Sequence, residues 1–382
     1  MIPSLTSKLP HVQSSIFTVI GRMAREYQAL NLSQGFPNFA ADPRLIAYVN
    51  EAMKKGLNQY APMEGILSLR EVISEKLATL YGKSYSPEKE ITLVAGATQG
   101  IFTAITAVIE KGDEVIILKP AYDCYEPAIR INGGIPVFVQ MEGKEFKINW
   151  EAFRNAITSR TKLVVINTPH NPSGMVFTPE DMNELAASLK DTNILVLSDE
   201  VYEHMVFDGA SHESVAKYPD LAERSFIMAS FGKTFHVTGW KMGYCAAPAP
   251  LMKEFRKIHE FNVYAVNHPI QSALVPYLSE PEHYLGLSAF FQKKRDLFLE
   301  AIAASRFRFI PSKGTYFQVL DYSAVTGEND VEFATRLIKD YGLASIPISV
   351  FNIDQLDHQQ LRFCFAKTDE TLLKAADILN AI

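Results

Sequence analysis

Between about residue 90 and residue 250 the chain alternates short apolar runs with longer stretches of helical periodicity. Ile91-Thr92-Leu93-Val94, Glu114-Val115-Ile116-Ile117-Leu118, Leu163-Val164-Val165-Ile166-Asn167 and Ile194-Leu195-Val196-Leu197-Ser198 are β-branched runs and predict strands. Phe226 to Ser230 and Met242 to Ala246 complete the series, and Thr98 to about Ile109 reads as the helix after the first run. Runs of this kind separated by helical patterns imply a mostly parallel sheet covered on both faces. Polar residues gather where the runs end, and open α/β sheets bind ligands outside the carboxyl ends of their strands.

After Pro248 the pattern becomes long and helical, through Phe255 and Phe261 and then from Tyr284 to Ile302. The remainder mixes strands (Thr315 to Val319, Leu361 to Phe365) with helices (Val331 to Asp340, Glu370 to Leu379). Near the start, Ser15 to Tyr27 reads as a helix, followed by Asn31-Leu32-Ser33-Gln34-Gly35-Phe36-Pro37. The expected division is an N-terminal segment, 1–40, packing with a small domain; a large α/β domain, 41–280; and a smaller α+β domain, 281–382.

Composition narrows the class. With 382 residues, 47% hydrophobic and 21% charged, the chain is ordinary for a globular enzyme. A net charge of −6 argues against a nucleic-acid footprint. No apolar run reaches the length of a membrane helix. The stretch Met1 to Lys8 lacks a basic segment followed by an apolar core, so no secretory signal is expected. Cys124, Cys245 and Cys364 are too widely spaced for a disulfide framework or a zinc site. A reducing cytoplasm is the expected location, with no metal and no membrane partner.

Four polar motifs stand at the ends of the apolar runs: Asn171-Pro172-Ser173-Gly174, Asp199-Glu200-Val201-Tyr202, Ser230-Phe231-Gly232-Lys233-Thr234 and Gly239-Trp240-Lys241-Met242-Gly243. Alone, Lys233 reads as a solvated loop charge, Asn171 to Gly174 as a plain turn and Asp199 as a helix cap. Gly232-Lys233-Thr234 mimics the tail of a P-loop, but that motif needs glycine where Ile227 stands. No strand runs into a dinucleotide fingerprint either. Taken together the motifs point elsewhere. A lysine after a buried strand is partly desolvated, loses its proton more easily and can attack a carbonyl. An ordered set of Asn, Asp, Tyr and Lys at strand ends is what an imine-forming cofactor enzyme needs.

On these motifs the chain resembles the pyridoxal-phosphate-dependent aminotransferases of fold type I, class I, from Gln34-Gly35-Phe36-Pro37 to Arg362. The closer likeness is to the kynurenine, glutamine and methionine aminotransferase branch. Pro120 to Pro127, Thr168-Pro169-His170-Asn171-Pro172 and Arg362 to Lys367 carry it.

The resemblance implies pyridoxal 5'-phosphate as cofactor, held as an imine on Lys233. Ala97 and Thr98, in a small-residue turn at a helix start, match phosphate ligands, a place where free N–H groups and the helix dipole favour an anion. A plain turn with a threonine cap fits that stretch equally well. Ser230 and Lys241 match further phosphate ligands. Many relatives carry arginine at the second, and lysine keeps the charge without the bidentate fork. Asp199 matches the carboxylate that keeps the pyridine nitrogen protonated; on strand alternation Glu200 points to the opposite face. Tyr202 and Asn171 match the donors to the cofactor's phenolic oxygen, and Tyr122 a ring stacked on the cofactor. Tyr60 matches a tyrosine that reaches the cofactor phosphate of the other subunit, which implies a homodimer with shared sites.

For the substrate, the resemblance implies that Arg362 binds the α-carboxylate, assisted by Asn171 and the backbone at Gly35. Phe17, Tyr60 and Tyr122 are expected around the substrate side chain. The expected activity is transfer of an amino group from methionine, glutamine or an aromatic L-amino acid to a 2-oxo acid. A carbon–sulfur β-lyase would use the same cofactor and would release ammonia and pyruvate from a cysteine conjugate. A cofactor-binding regulator would need an added DNA-binding domain, for which the chain has no room.

Overall fold

The computed structural model describes residues 6–10, 12 and 14–382. Residues 1–5, where the stretch read for a secretory signal begins, lie outside them.

In chain order the strands are β1 (Leu30–Asn31), β2 (Ile91–Val94), β3 (Glu114–Lys119), β4 (Ile135–Gln140), β5 (Thr161–Asn167), β6 (Leu195–Asp199), β7 (Ser225–Ser230), β8 (Gly243–Ala246), β9 (Phe317–Asp321), β10 (Leu343–Ala344), β11 (Ile346–Pro347) and β12 (Gln360–Cys364). Seven of them form the central sheet in the order β2-β8-β7-β6-β5-β3-β4. All neighbours are parallel except β8, which runs antiparallel to both β2 and β7.

The apolar runs explain the layering. Ile116, Leu118, Val164, Ile166 and Val196 enter one buried cluster, while Val115, Ile117, Leu163, Val165 and Leu197 enter a second. Successive side chains of a strand point to opposite faces, so both faces of these strands are buried. Each such side chain contributes roughly 1.5–3 kcal/mol by leaving water. The edge strand β4 is absent from the series of runs above. It pairs only with β3, Ile135 is left exposed, and Pro136 is tolerated because an edge strand has a side with no ladder to donate to.

A second sheet, in the order β11-β12-β9, is antiparallel and pairs Arg362 with Val319. Its strand β9 starts at Phe317, two residues later than the pattern predicts, because Thr315 has φ +66° and breaks the extended run. The helix expected from Tyr284 to Ile302 is two helices, Glu282–Leu285 and Leu287–Ala301, which meet at Gly286. The helix Ile16–Glu26 packs Ile20 and Ala24 against Ile338, Ala344, Ile346 and Phe351, and β1 pairs in parallel with β10. This contact carries Ser33 and Gly35 back to the carboxyl ends of the central strands. Among the described residues no helix is long and apolar enough to cross a membrane, and no cluster of His, Cys, Asp and Glu could hold a metal ion.

Candidate active site

The carboxyl ends of β5, β6 and β7, with the start of the helix Ala97–Val108, enclose a cavity of about 150 Å³. Ala97, Thr98, Tyr122, Asn171, Asp199, Tyr202, Ser230, Lys233 and Lys241 all line it. They come from six separate stretches of chain, and the parallel topology brings them to one end of the sheet.

Lys233 lies in the single helical turn Phe231–Thr234 directly after β7, where Ser230 Oγ accepts from its backbone N–H at 3.3 Å. Its Nζ donates to the Gly35 carbonyl at 3.1 Å and stands 5.7 Å from the ring centres of both Tyr202 and Tyr316. Burial lowers its pKa to about 8. Tyr316 also donates its hydroxyl to the Gly35 carbonyl, at 2.5 Å. A Cβ on Gly35 would meet the Phe317 ring at 2.7 Å, so only glycine lets this backbone come so close.

Asp199 ends β6 and is buried, which raises its carboxyl to about 6. Tyr125 donates to its Oδ2 at 2.7 Å and the Val201 N–H to its Oδ1 at 3.3 Å. Glu200 turns the other way. It accepts from Ser198 Oγ at 2.7 Å and the Val215 N–H at 3.1 Å, and it lies 2.9 Å from His212 Nε2.

The turn after β5 is held by Asn167, whose Nδ2 donates to the Asp199 carbonyl at 2.8 Å and whose Oδ1 accepts from the Asn171 N–H at 2.8 Å. Asn171 Oδ1 in turn accepts from Arg362 Nη1 at 2.6 Å. Arg362 is buried on β12, donates Nη2 to the Ser33 carbonyl at 2.8 Å, and has the Phe317 ring centre 3.9 Å away and that of Phe17 5.2 Å away. Its Nε has no partner among the described residues. Burial lowers its pKa to about 10, so it remains cationic at neutral pH.

At the other end, Gly96 has φ +77° and precedes a helix whose first N–H groups, at Ala97 and Thr98, have no acceptor within the helix. A Cβ at Gly96 would stand 3.2 Å from Lys241 Cε and Nζ, so glycine here leaves room for that side chain beside the helix start. Tyr60 stands apart from these residues. It is 81% exposed, packs edge-on against Tyr264 at 5.3 Å, and does not line the cavity of its own chain.

Several neighbours went unread in the sequence. Tyr125 lies three residues beyond Tyr122 in the same motif, a spacing that could have placed both rings on one side of a turn. Asn167 ends an apolar run just as Asp199 does. Tyr316 and Phe317 are aromatics within a strand pattern, and nothing local separates them from core residues.

Residues 27–379 match the family model of class I and II aminotransferases, and the chain belongs to that family: it is an aminotransferase. It is 45% identical to a methionine aminotransferase of Escherichia coli (strain K12), over 98% of each chain. It is 34% identical to a kynurenine–oxoglutarate transaminase of Dictyostelium discoideum, over 96% of this chain and 93% of the relative. The solved structure of an Escherichia coli protein identified as a methionine aminotransferase matches it with a TM-score of 0.96 over 100% of both chains, at 45% identity. An N-succinyldiaminopimelate aminotransferase structure from Mycobacterium tuberculosis matches with a TM-score of 0.95 at 32% identity, over 99% of this chain and 100% of the other.

Proposed function

We propose that this aminotransferase works with pyridoxal 5'-phosphate in the cavity described above and takes methionine, glutamine or aromatic L-amino acids as donors to a 2-oxo acid. One observation carries the cofactor assignment: a buried, cation-seeking carboxyl (Asp199) and a buried amine of lowered pKa (Lys233) line one cavity beside an open helix start. The donor set fits the cofactor. Asp199 has a phenol and a backbone N–H as partners but no cation in hydrogen-bond contact, so a protonated ring nitrogen would answer its charge. Ala97, Thr98, Ser230 and Lys241 offer the N–H groups, hydroxyls and charge that a phosphate needs. Tyr122 offers a ring face, and Tyr202 and Asn171 offer donors for a phenolate oxygen. When bound, the cofactor supplies an aldehyde for Lys233 and a ring that withdraws electrons from the substrate Cα.

The remaining work falls to the chain. Arg362 binds the α-carboxylate of donor and acceptor alike, and its hydrogen bond to Asn171 sets the orientation of its fork. Lys233 Nζ removes the Cα proton as a neutral amine, and a pKa near 8 leaves an appreciable neutral fraction at neutral pH. The Gly35 carbonyl holds that amine on the substrate side. Phe17 and Tyr122 give the substrate side chain apolar walls, which suit a thioether or an aromatic ring.

We also propose a homodimer with shared sites. Tyr60, Phe261 and Tyr264 leave large apolar surface in water, and Tyr60 would serve the partner's site rather than its own. A panel of amino donors and 2-oxo acids, assayed on purified protein with and without added pyridoxal 5'-phosphate, tests the assignment. Methionine-dependent transamination that rises with the cofactor is the expected result, and turnover indifferent to it would sink the cofactor assignment.

A further inference from the structure

Asp199 is buried, and burial favours its neutral form, whereas the function proposed above needs it ionised. Something in the fold must therefore favour the charge. The titratable groups facing it are Tyr122, Cys124 and Tyr125 from the segment after β3, Lys233 from the turn after β7, and Glu200 and Tyr202 from its own segment. Lys233 directs its amine to the Gly35 carbonyl and Glu200 turns to the other face. Among the described residues only Tyr125 donates a side-chain hydrogen bond to the carboxylate, at 2.7 Å to Oδ2. The Val201 N–H on the other oxygen is longer, at 3.3 Å.

Tyr125 is fixed for this task. It is buried, it opens the helix Tyr125–Ile131, and the ring of Tyr122 packs edge-on against it at 5.9 Å. Burial pushes the phenol pKa up, so the hydroxyl keeps its proton and stays available as a donor across the working pH range.

We propose that Tyr125 is a positioning residue whose hydroxyl holds Asp199 ionised and in one orientation, leaving Oδ1 for the cofactor's ring nitrogen, an inference that rests on the cofactor reading above. A hydrogen bond to a charged acceptor is among the stronger ones, and losing it should be visible in the titration of that acceptor.

The test uses Tyr125→Phe and, in a second protein, 2,3-difluorotyrosine at position 125, which keeps the ring and makes the hydroxyl a stronger donor. Asp199 is titrated in cofactor-free protein by its infrared carboxyl band, assigned by its loss in Asp199→Asn. Tyr125→Phe should move the midpoint up by roughly one to two pH units, and the fluorinated residue should move it down. A merely structural tyrosine would not give opposite shifts. A midpoint that stays in place in both proteins overturns the proposal. In the loaded enzyme Tyr125→Phe should lower kcat about tenfold or more while KM for the amino donor stays within about twofold; an unchanged kcat also overturns it. Should Tyr125→Phe fail to fold, the fluorinated protein alone decides. Failure of the cofactor reading shows separately, as an Asp199→Asn enzyme with near-normal turnover, because the midpoint is measured with no cofactor present.

Discussion

Arg362 Nη1 donates to Asn171 Oδ1 at 2.6 Å, which ties the second sheet to the turn after β5 across 191 residues of sequence. Asn171 also lines the cavity, so one amide joins the buried Arg362 cation to it. Arg362→Ala should raise KM for every amino acid and 2-oxo acid alike, since all share the α-carboxylate. Truncating one partner of such a buried charged pair costs roughly 2–5 kcal/mol. Steady-state kinetics on several donors checks this, and a defect confined to one donor would place Arg362 against the side chain instead.

Lys233→Ala should abolish transamination. In wild type, borohydride reduction should leave pyridoxal absorbance attached to the peptide containing Lys233 after denaturation. In the variant the same treatment should leave only unbound cofactor. Normal turnover by Lys233→Ala would end the mechanism proposed here.

The buried amine also predicts a pH signature of stability. In cofactor-free protein the folded pKa of Lys233 is about 8 against 10.5 unfolded, so the folded state binds fewer protons between these values. Stability therefore rises with pH through that window, and below pH 8 the full cost of the buried charge is present. Lys233→Met removes the cost and should stabilise the cofactor-free protein at pH 7 by roughly 3 kcal/mol. The gain should shrink as pH approaches 10.5. Urea unfolding of both proteins at pH 7 and pH 10 reads the difference, and an equal gap at both values contradicts it.

Asp199→Asn keeps the shape of the side chain and removes its charge. Turnover should fall roughly a hundredfold or more, the scale of losing one preorganised electrostatic group. The cofactor-free protein should keep its fold, because a carboxyl raised to about 6 already costs stability when ionised. Circular dichroism beside kinetics separates the two effects; a variant within a few-fold of wild type would assign the acidic role elsewhere.

Donor preference should favour methionine, glutamine and aromatic amino acids over aspartate. Phe17 and Tyr122, the walls proposed for the substrate side chain, are aromatic. The segment Phe261 to His268, which packs Tyr264 against Tyr60 and so belongs to the proposed interface between subunits, carries no arginine or lysine. A distal carboxylate placed there would lose water without gaining a partner. Catalytic efficiency for aspartate equal to that for methionine would overturn this expectation.

The alternation of β-branched runs and helical stretches carried the central sheet in the sequence, because strands buried on both faces must be apolar along their length. The polar residues closing those runs could be read for the same reason: they stand where burial ends. The edge strand β4 was not legible, since one half-exposed strand with a proline has no such signature. Nor was the break at Thr315, which rests on a single backbone angle. What only the tertiary structure decided are contacts between distant stretches: Tyr125 on Asp199, Tyr316 and Lys233 on one Gly35 carbonyl, Phe317 beneath Arg362. Local patterning records whether a side chain is buried. It does not record which buried partner it meets, because that depends on how β9, β12 and the segment after β1 dock against the sheet ends.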